Sequence, residues 1–152
     1  MTPLGWLNDS SMNRFLESRF VVHDETSVRA FVDDCLANPD VLFMGVRHLS
    51  SGRHVGNVKL EINRAHGRAE VGILIGDRAV QGQGLATRAI TLLCRVAREQ
   101  LGLRKLTAGC YANNKGSERA FIKAGFSVEG TRPDHFLLDG NPEALILMGR
   151  LL

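Results

Sequence analysis

No stretch of this chain approaches the roughly 18 consecutive apolar residues of a membrane-spanning helix, which argues against a membrane protein. The opening residues Met1-Thr2-Pro3-Leu4-Gly5-Trp6 lack a basic segment followed by an apolar run, so no signal peptide is expected. Three cysteines, Cys35, Cys94 and Cys110, form neither a metal spacing nor an even disulfide set. Free thiols in a reducing cytoplasm are the simple reading. His23, His48, His54, His66 and His135 are scattered without ligand spacing, so no metal is expected. The balance of 19 Lys+Arg against 16 Asp+Glu gives a net charge of +3 and suits an anionic ligand. The charge is dispersed, with no basic cluster carrying interleaved aromatics, which argues against nucleic acid.

What is present is one domain's worth of chain, 152 residues that are 44% hydrophobic and 23% charged. Asn8-Asp9-Ser10-Ser11 reads as a cap before a short helix through Met12, Phe15, Leu16 and Arg19. Thr26-Ser27 caps a second helix, whose Val28, Phe31, Val32, Cys35 and Leu36 form a core-facing stripe ended by Asn38-Pro39-Asp40. The period then changes to strands at Val41–Val46, His54–Ile62 and Ala69–Ile75, separated by turns short enough for antiparallel hairpins. A helix follows from Leu85 to Gln100, stopped at Leu101-Gly102. Lys105–Cys110 is a strand and Lys115–Ala124 a helix; Gly125-Phe126 begins another extended segment. His135–Leu138 and Ala144–Met148 close a last hairpin around Asp139-Gly140-Asn141-Pro142. The expected order is α-α-β-β-β-α-β-α-β-β, a single α/β (α+β) domain with a mixed, mostly antiparallel sheet flanked by helices.

Gln81-Gly82-Gln83-Gly84-Leu85-Ala86 lies between an apolar strand and the long helix. A glycine turn there leaves backbone N–H groups unpaired at a helix N-terminus, where the dipole favours an anion. A nucleotide P-loop would need Lys-Ser/Thr after the last glycine, and Leu85-Ala86 stand there. A dinucleotide fingerprint would need glycine or alanine at position 87, which is Thr87, and an acidic residue near the next strand. By itself the loop is either a structural turn or a phosphate cradle.

Gln81-x-x-Gly84-x-Ala86 in a strand–loop–helix setting resembles the acyl-CoA pyrophosphate loop of the GNAT N-acetyltransferase superfamily. The run Asn113-Asn114-Lys115-Gly116-Ser117 to Lys123-Ala124-Gly125-Phe126 resembles that superfamily's second signature. Trp6-Leu7-Asn8-Asp9, Val128-Glu129-Gly130, Arg132 and the Asp139-Gly140 hairpin look like the branch that acetylates N-termini of ribosomal proteins. The resemblance covers nearly the whole of residues 1–152. Members usually begin with a strand before the first helix, and this chain reaches Trp6 almost at once, so that first strand is expected to be missing. A homodimer is one way to cover the sheet edge that this leaves.

The resemblance implies an acetyl-CoA-dependent N-acetyltransferase acting on an amine-bearing acceptor, a protein N-terminus, an amino sugar or another small amine. It places backbone groups of Leu74, Ile75 and Gly76 along the pantetheine arm, and Gln81, Gly82, Gln83, Gly84, Leu85, Ala86 and Thr87 around the pyrophosphate. A β-bulge in that strand would free an N–H for the thioester oxygen. Asn114 would bond the pantetheine amides, and Ser117 and Phe121 would lie near the sulfur. Arg78, Arg88 and Lys115 are candidates for the CoA 3′-phosphate. Glu70, on the opposite strand face from Val71, Ile73 and Ile75, is the candidate general base, with half-burial to tune it. Many relatives carry tyrosine four residues after the Ser117 position as the general acid. Phe121 cannot protonate a thiolate, which leaves Ser117 as donor or unaided departure, with Tyr111 and Cys110 as weaker options. Two other readings stand beside the enzyme: a non-catalytic acyl-CoA-binding sensor, and an assembly protein whose glycine loop is only a turn.

Overall fold

The computed structural model describes residues 3–152, with the side chains of Pro3, Glu17 and Arg78 outside the description. Four helices, α1 (Pro3–Asn8), α2 (Glu25–Ala37), α3 (Leu85–Glu99) and α4 (Lys115–Lys123), accompany six strands. The strands are β1 (Val41–Arg47), β2 (His54–Asn63), β3 (Arg68–Ile75), β4 (Lys105–Tyr111), β5 (Ser127–Leu138) and β6 (Asn141–Leu151). They form one sheet in the order β1-β2-β3-β4-β6-β5. Every neighbouring pair is antiparallel except β3 and β4, which α3 joins as a parallel crossover.

The expected element order stands, and the strand alternation built the core. Val58, Leu60, Ala69, Val71, Leu106, Ala108 and Met148 lie on the face covered by α3 and α4. Ile90, Leu93, Cys94 and Ala97 of α3 and Ala120 and Phe121 of α4 pack against them. Roughly 25 cal/mol for each Å² of apolar surface withdrawn from water drives this layer together.

Three local expectations fail. The segment Met12–Arg19 is turns followed by a 3-10 turn at Glu17–Phe20, and the first helix precedes it as α1. Asp9 does behave as a capping residue, but its carboxylate takes the Ser11 N–H and hydroxyl at 2.9 and 2.6 Å in a local turn. Helix α2 begins two to three residues earlier than expected: Asp24 caps it through a reciprocal pair with Ser27, which also lowers the Asp24 carboxyl below its ordinary range. Its apolar stripe is only partly buried, since α2 lies over β1 at the sheet edge and leaves Phe31 and Leu36 exposed. The third difference is in β3, which pairs with β2 in unbroken register from Arg68 to Ile75, so the expected bulge is absent.

The freed backbone arises another way. β3 and β4 are paired only at Arg68–Lys105, Ala69–Leu106 and Glu70–Thr107. Beyond Glu70 the two strands part, and the sheet opens between them. β4 remains bonded to β6 along its full length and β3 to β2, so each half-sheet stays intact while the gap widens toward the end of β3.

Candidate active site

The gap is a cleft of about 1080 Å³. One side is the loop after β3 and the start of α3. Gly82 and Gly84 there adopt φ of +80° and +73°, the left-handed region that other residues enter only with strain. A Cβ on either glycine would meet no atom within 4 Å, so the requirement is conformational rather than steric. Gly84 is the N-cap of α3 and supplies no side-chain acceptor, and the first turn holds no acidic residue. The N–H groups of Leu85, Ala86 and Thr87 therefore face the cleft end of a 15-residue helix with no side-chain cap, a ready anion site. Upstream, buried Asp77 pins the approach to this loop: its carboxylate takes the Ala79 N–H at 2.9 Å and pairs with Arg53 at 2.9 Å.

Of the residues expected on the cofactor side, Leu74, Ile75, Gln81, Gly82, Gly84, Leu85, Ala86, Thr87, Asn114, Ser117 and Phe121 all line this cleft. Gly76 and Gln83 do not. Gly76 is buried beneath Trp6, whose indole occupies the space a Cβ would fill. Gln83 is exposed and donates to the Ala79 carbonyl at 3.3 Å. Arg88 is exposed and lies outside the lining, Lys115 pairs with Glu118 at 3.1 Å, and the Arg78 side chain lies outside the described residues. Among the described residues, Arg119 and Lys123, one turn apart on α4, are the cations that line the cleft.

Asn114 caps α4, its side-chain oxygen accepting the Ser117 N–H at 3.2 Å. Since only an oxygen can accept from that N–H, the amide nitrogen is the group left to donate elsewhere. Capping and ligand presentation are thus compatible in one residue. Phe121 is almost wholly buried, edge-on to Phe126 at 5.0 Å between ring centroids. Cys110 also borders the cleft, but burial, reinforced by the Glu118 charge, pushes its thiol up to about 11. A thiol so placed is protonated near neutrality and is a poor nucleophile.

The other side of the cleft is the sheet face opposite α3. Glu70 lies on it, between Glu61 on β2 and Thr107 on β4. It is exposed, not half-buried as expected, because no helix covers this part of the sheet. Glu129 lies over Gly149, which is itself opposite Thr107, so the strand positions of Glu70 and Gly149 flank Thr107 on this face. Lys105 pairs with Glu129 at 2.7 Å and Lys59 with Glu61 at 2.8 Å. Glu70 has no such partner among the described residues.

Along β4 the same face carries Gly109 and Tyr111, neighboured by Leu147 and Leu145 of β6. Tyr111 stacks on Phe136 at 4.2 Å, lies 5.9 Å from Phe15, and accepts a 2.7 Å hydrogen bond from Arg19. The strand runs one residue further than the expected Lys105–Cys110 and so brings Tyr111 into this aromatic wall. The strand alternation Thr107, Gly109, Tyr111 puts all three on the Glu70 face. His135 stacks edge-on to Phe136 at 4.9 Å, beyond the lining. Among the described residues no group of three His, Cys, Asp or Glu is placed to hold a metal, and no helix is long and apolar enough to cross a membrane.

Comparison with known proteins bears on this geometry. A family profile described as an acetyltransferase (GNAT) domain matches residues 2–127. Spermidine N(1)-acetyltransferase of Escherichia coli is 35% identical over 128 residues, 84% of this chain and 60% of that protein. The chain therefore spans about 60% of the length of this relative. Probable N-acetyltransferase YjcK of Bacillus subtilis is 34% identical over 98 residues, 63% of this chain and 54% of that protein. In fold, the chain resembles Vibrio cholerae spermidine N-acetyltransferase solved with CoA and spermine, with TM-score 0.87 and 21% identity over 97% of this chain and 86% of that one. A GNAT-family acetyltransferase from Bacillus anthracis gives TM-score 0.83 at 18% identity, covering 97% and 86% respectively. These relatives do not support the ribosomal-protein branch. The residues behind that expectation do structural work here: Trp6 fills the space over Gly76, and Glu129 holds Lys105.

Proposed function

The chain belongs to the GNAT acetyltransferase family, and from that premise we propose that it is an acetyl-CoA-dependent N-acetyltransferase acting on a primary amine. The observation that carries the reading is the cleft itself, where an uncapped, glycine-entered helix N-terminus opens onto the parted strands β3 and β4. Acetyl-CoA would supply the thioester and its acetyl group. The N–H groups of residues 85–87 hold pyrophosphate oxygens, and Arg119 and Lys123 add positive charge on the α4 side. Leu74 and Ile75 border the pantetheine arm with backbone that β4 leaves unpaired, and the Asn114 amide donates to it.

The amine enters from the opposite sheet face. An ammonium cannot attack a carbonyl, and Glu70, a carboxylate of that face that lines the cleft, receives its proton directly or through one water. The new bond is C–N and the broken bond is C–S; the thiolate leaves and takes its proton from Ser117 or from water. The names of the relatives suggest small di- and polyamines as the acceptors to try first, with amino sugars and peptide N-termini behind them.

Phe121 supports a second reading, a non-catalytic acyl-CoA sensor, because it offers no proton to a departing thiolate. The deciding experiment is thiol release from acetyl-CoA in the presence of spermidine, amino sugars and a short peptide. Amine-dependent release supports the enzyme. CoA binding with no release for any amine supports the sensor, and the absence of CoA binding removes both.

A further inference from the structure

We propose that Glu143 is a positioning residue for the cofactor: its buried carboxylate fixes the Asn113-Asn114 turn so that the Asn114 amide faces the pantetheine arm. The inference rests on the acyl-CoA reading of the cleft. Glu143 lies on β6, 9% exposed, and does not itself line the cleft. One carboxylate oxygen accepts the Asn113 backbone N–H at 2.6 Å, and the other accepts the Asn113 side-chain amide at 3.0 Å. The next residue repeats the grip, since the Ala144 carbonyl accepts the Ala112 N–H at 2.9 Å. The turn is closed internally by Asn114 N–H to the Tyr111 carbonyl at 2.8 Å and Lys115 N–H to the Asn113 carbonyl at 2.9 Å.

The choice of side chain is informative. Both partners of Glu143 are donors, and a carboxylate is the acceptor-only group that offers an oxygen to each. A strand residue at this position could be apolar as far as the sheet is concerned, and burying a charge is costly unless it is well hydrogen-bonded. What the carboxylate adds is the turn. Without it the Asn113 N–H loses its acceptor, which destabilises the turn conformation directly before Asn114. Asn114 is then free to leave the α4 cap, and with it goes the aim of its amide. The loop at the other end of the cleft is held separately, by Asp77, so the two ends of the ligand report on different supports.

Calorimetric titration with two probes tests this: CoA, and 3′-phosphoadenosine 5′-diphosphate, which has the nucleotide end without the pantetheine. Glu143→Ala is expected to weaken CoA about tenfold and to leave the diphosphate within about twofold. Glu143→Gln keeps an oxygen for the Asn113 N–H and pairs with a turned Asn113 amide, so it recovers most of the loss. If Glu143→Ala does not fold, Asn113→Ala removes the side-chain bond alone and weakens CoA about threefold with the diphosphate unchanged. Unchanged CoA affinity in a folded variant, equal weakening of both probes, or no recovery with glutamine overturns the proposal while the acyl-CoA reading stands. Wild-type protein that binds neither probe removes that reading, and this inference with it.

Discussion

Three carboxylates share the open sheet face, and their partners separate them. Glu61 is held by Lys59 and Glu129 by Lys105, while Glu70 has no such partner among the described residues. Glu70→Gln retains the size and removes the base. Its kcat/KM with the best amine is expected to fall about 10²-fold near neutral pH. A variant with wild-type kcat/KM from about pH 6 to 9 would clear Glu70 of any part in proton transfer. Cys110 makes the opposite case. Its thiol is raised from an ordinary 9.0 to about 11, so the protonated form is the one the fold favours. That contribution is complete below pH about 9 and is lost as pH climbs toward 11. The melting temperature of the wild type should therefore drop across this window more steeply than that of Cys110→Ala. Parallel slopes would show that the thiol carries none of the alkaline loss.

At the scale of elements, the start of α3 concentrates what the sequence made legible. Two glycines, no side-chain cap and no acidic first turn are local features, and they specify the helix entry without help from distant residues. Gly84→Ala places a Cβ in open space at φ +73°, so its cost is strain alone, about 1–2 kcal/mol and roughly 3–6 °C in Tm. A loss well below that would mean the loop relaxes out of the left-handed conformation. At the other wall, Asn114→Ala should cost about 1 kcal/mol through the α4 cap and weaken CoA as well, whereas Asn114→Asp keeps the cap and weakens CoA alone. Strand positions were readable for the same reason as the glycine entry: alternation is a local code. The segment Met12–Arg19 was not, because its turns answer to Leu7, whose carbonyl takes the Asn13 amide at 2.7 Å, and to Tyr111 and Leu137, both bonded by Arg19. Glu143 was invisible on the same grounds. Its partner Asn113 is 30 residues away, and no spacing rule links them.

For the whole molecule, the parallel junction of β3 and β4 is the weak seam. Two half-sheets, β1–β3 and β4–β6, each carry long antiparallel ladders, yet three residue pairs join them. Helices α3 and α4 bridge the seam on one face, and the N-terminal segment bridges it on the other, where Trp6 packs on Gly76 and Arg19 donates to Tyr111 and Leu137. A ligand lying in the cleft touches both halves: Leu74, Ile75 and the glycine loop on one, Asn114 and Ser117 on the other. Binding should therefore close the seam as well as stabilise by mass action. At about 100-fold excess over Kd the mass-action part is near 2.7 kcal/mol, or roughly 5–10 °C in Tm for a chain of this size. Amide exchange resolves the structural part. Residues 71–75 of β3 and 108–111 of β4 should gain protection with CoA, while the β1–β2 and β5–β6 hairpins, which lie away from the seam, change little. Uniform protection over all six strands would instead indicate global stabilisation, with no special weakness where the sheet divides.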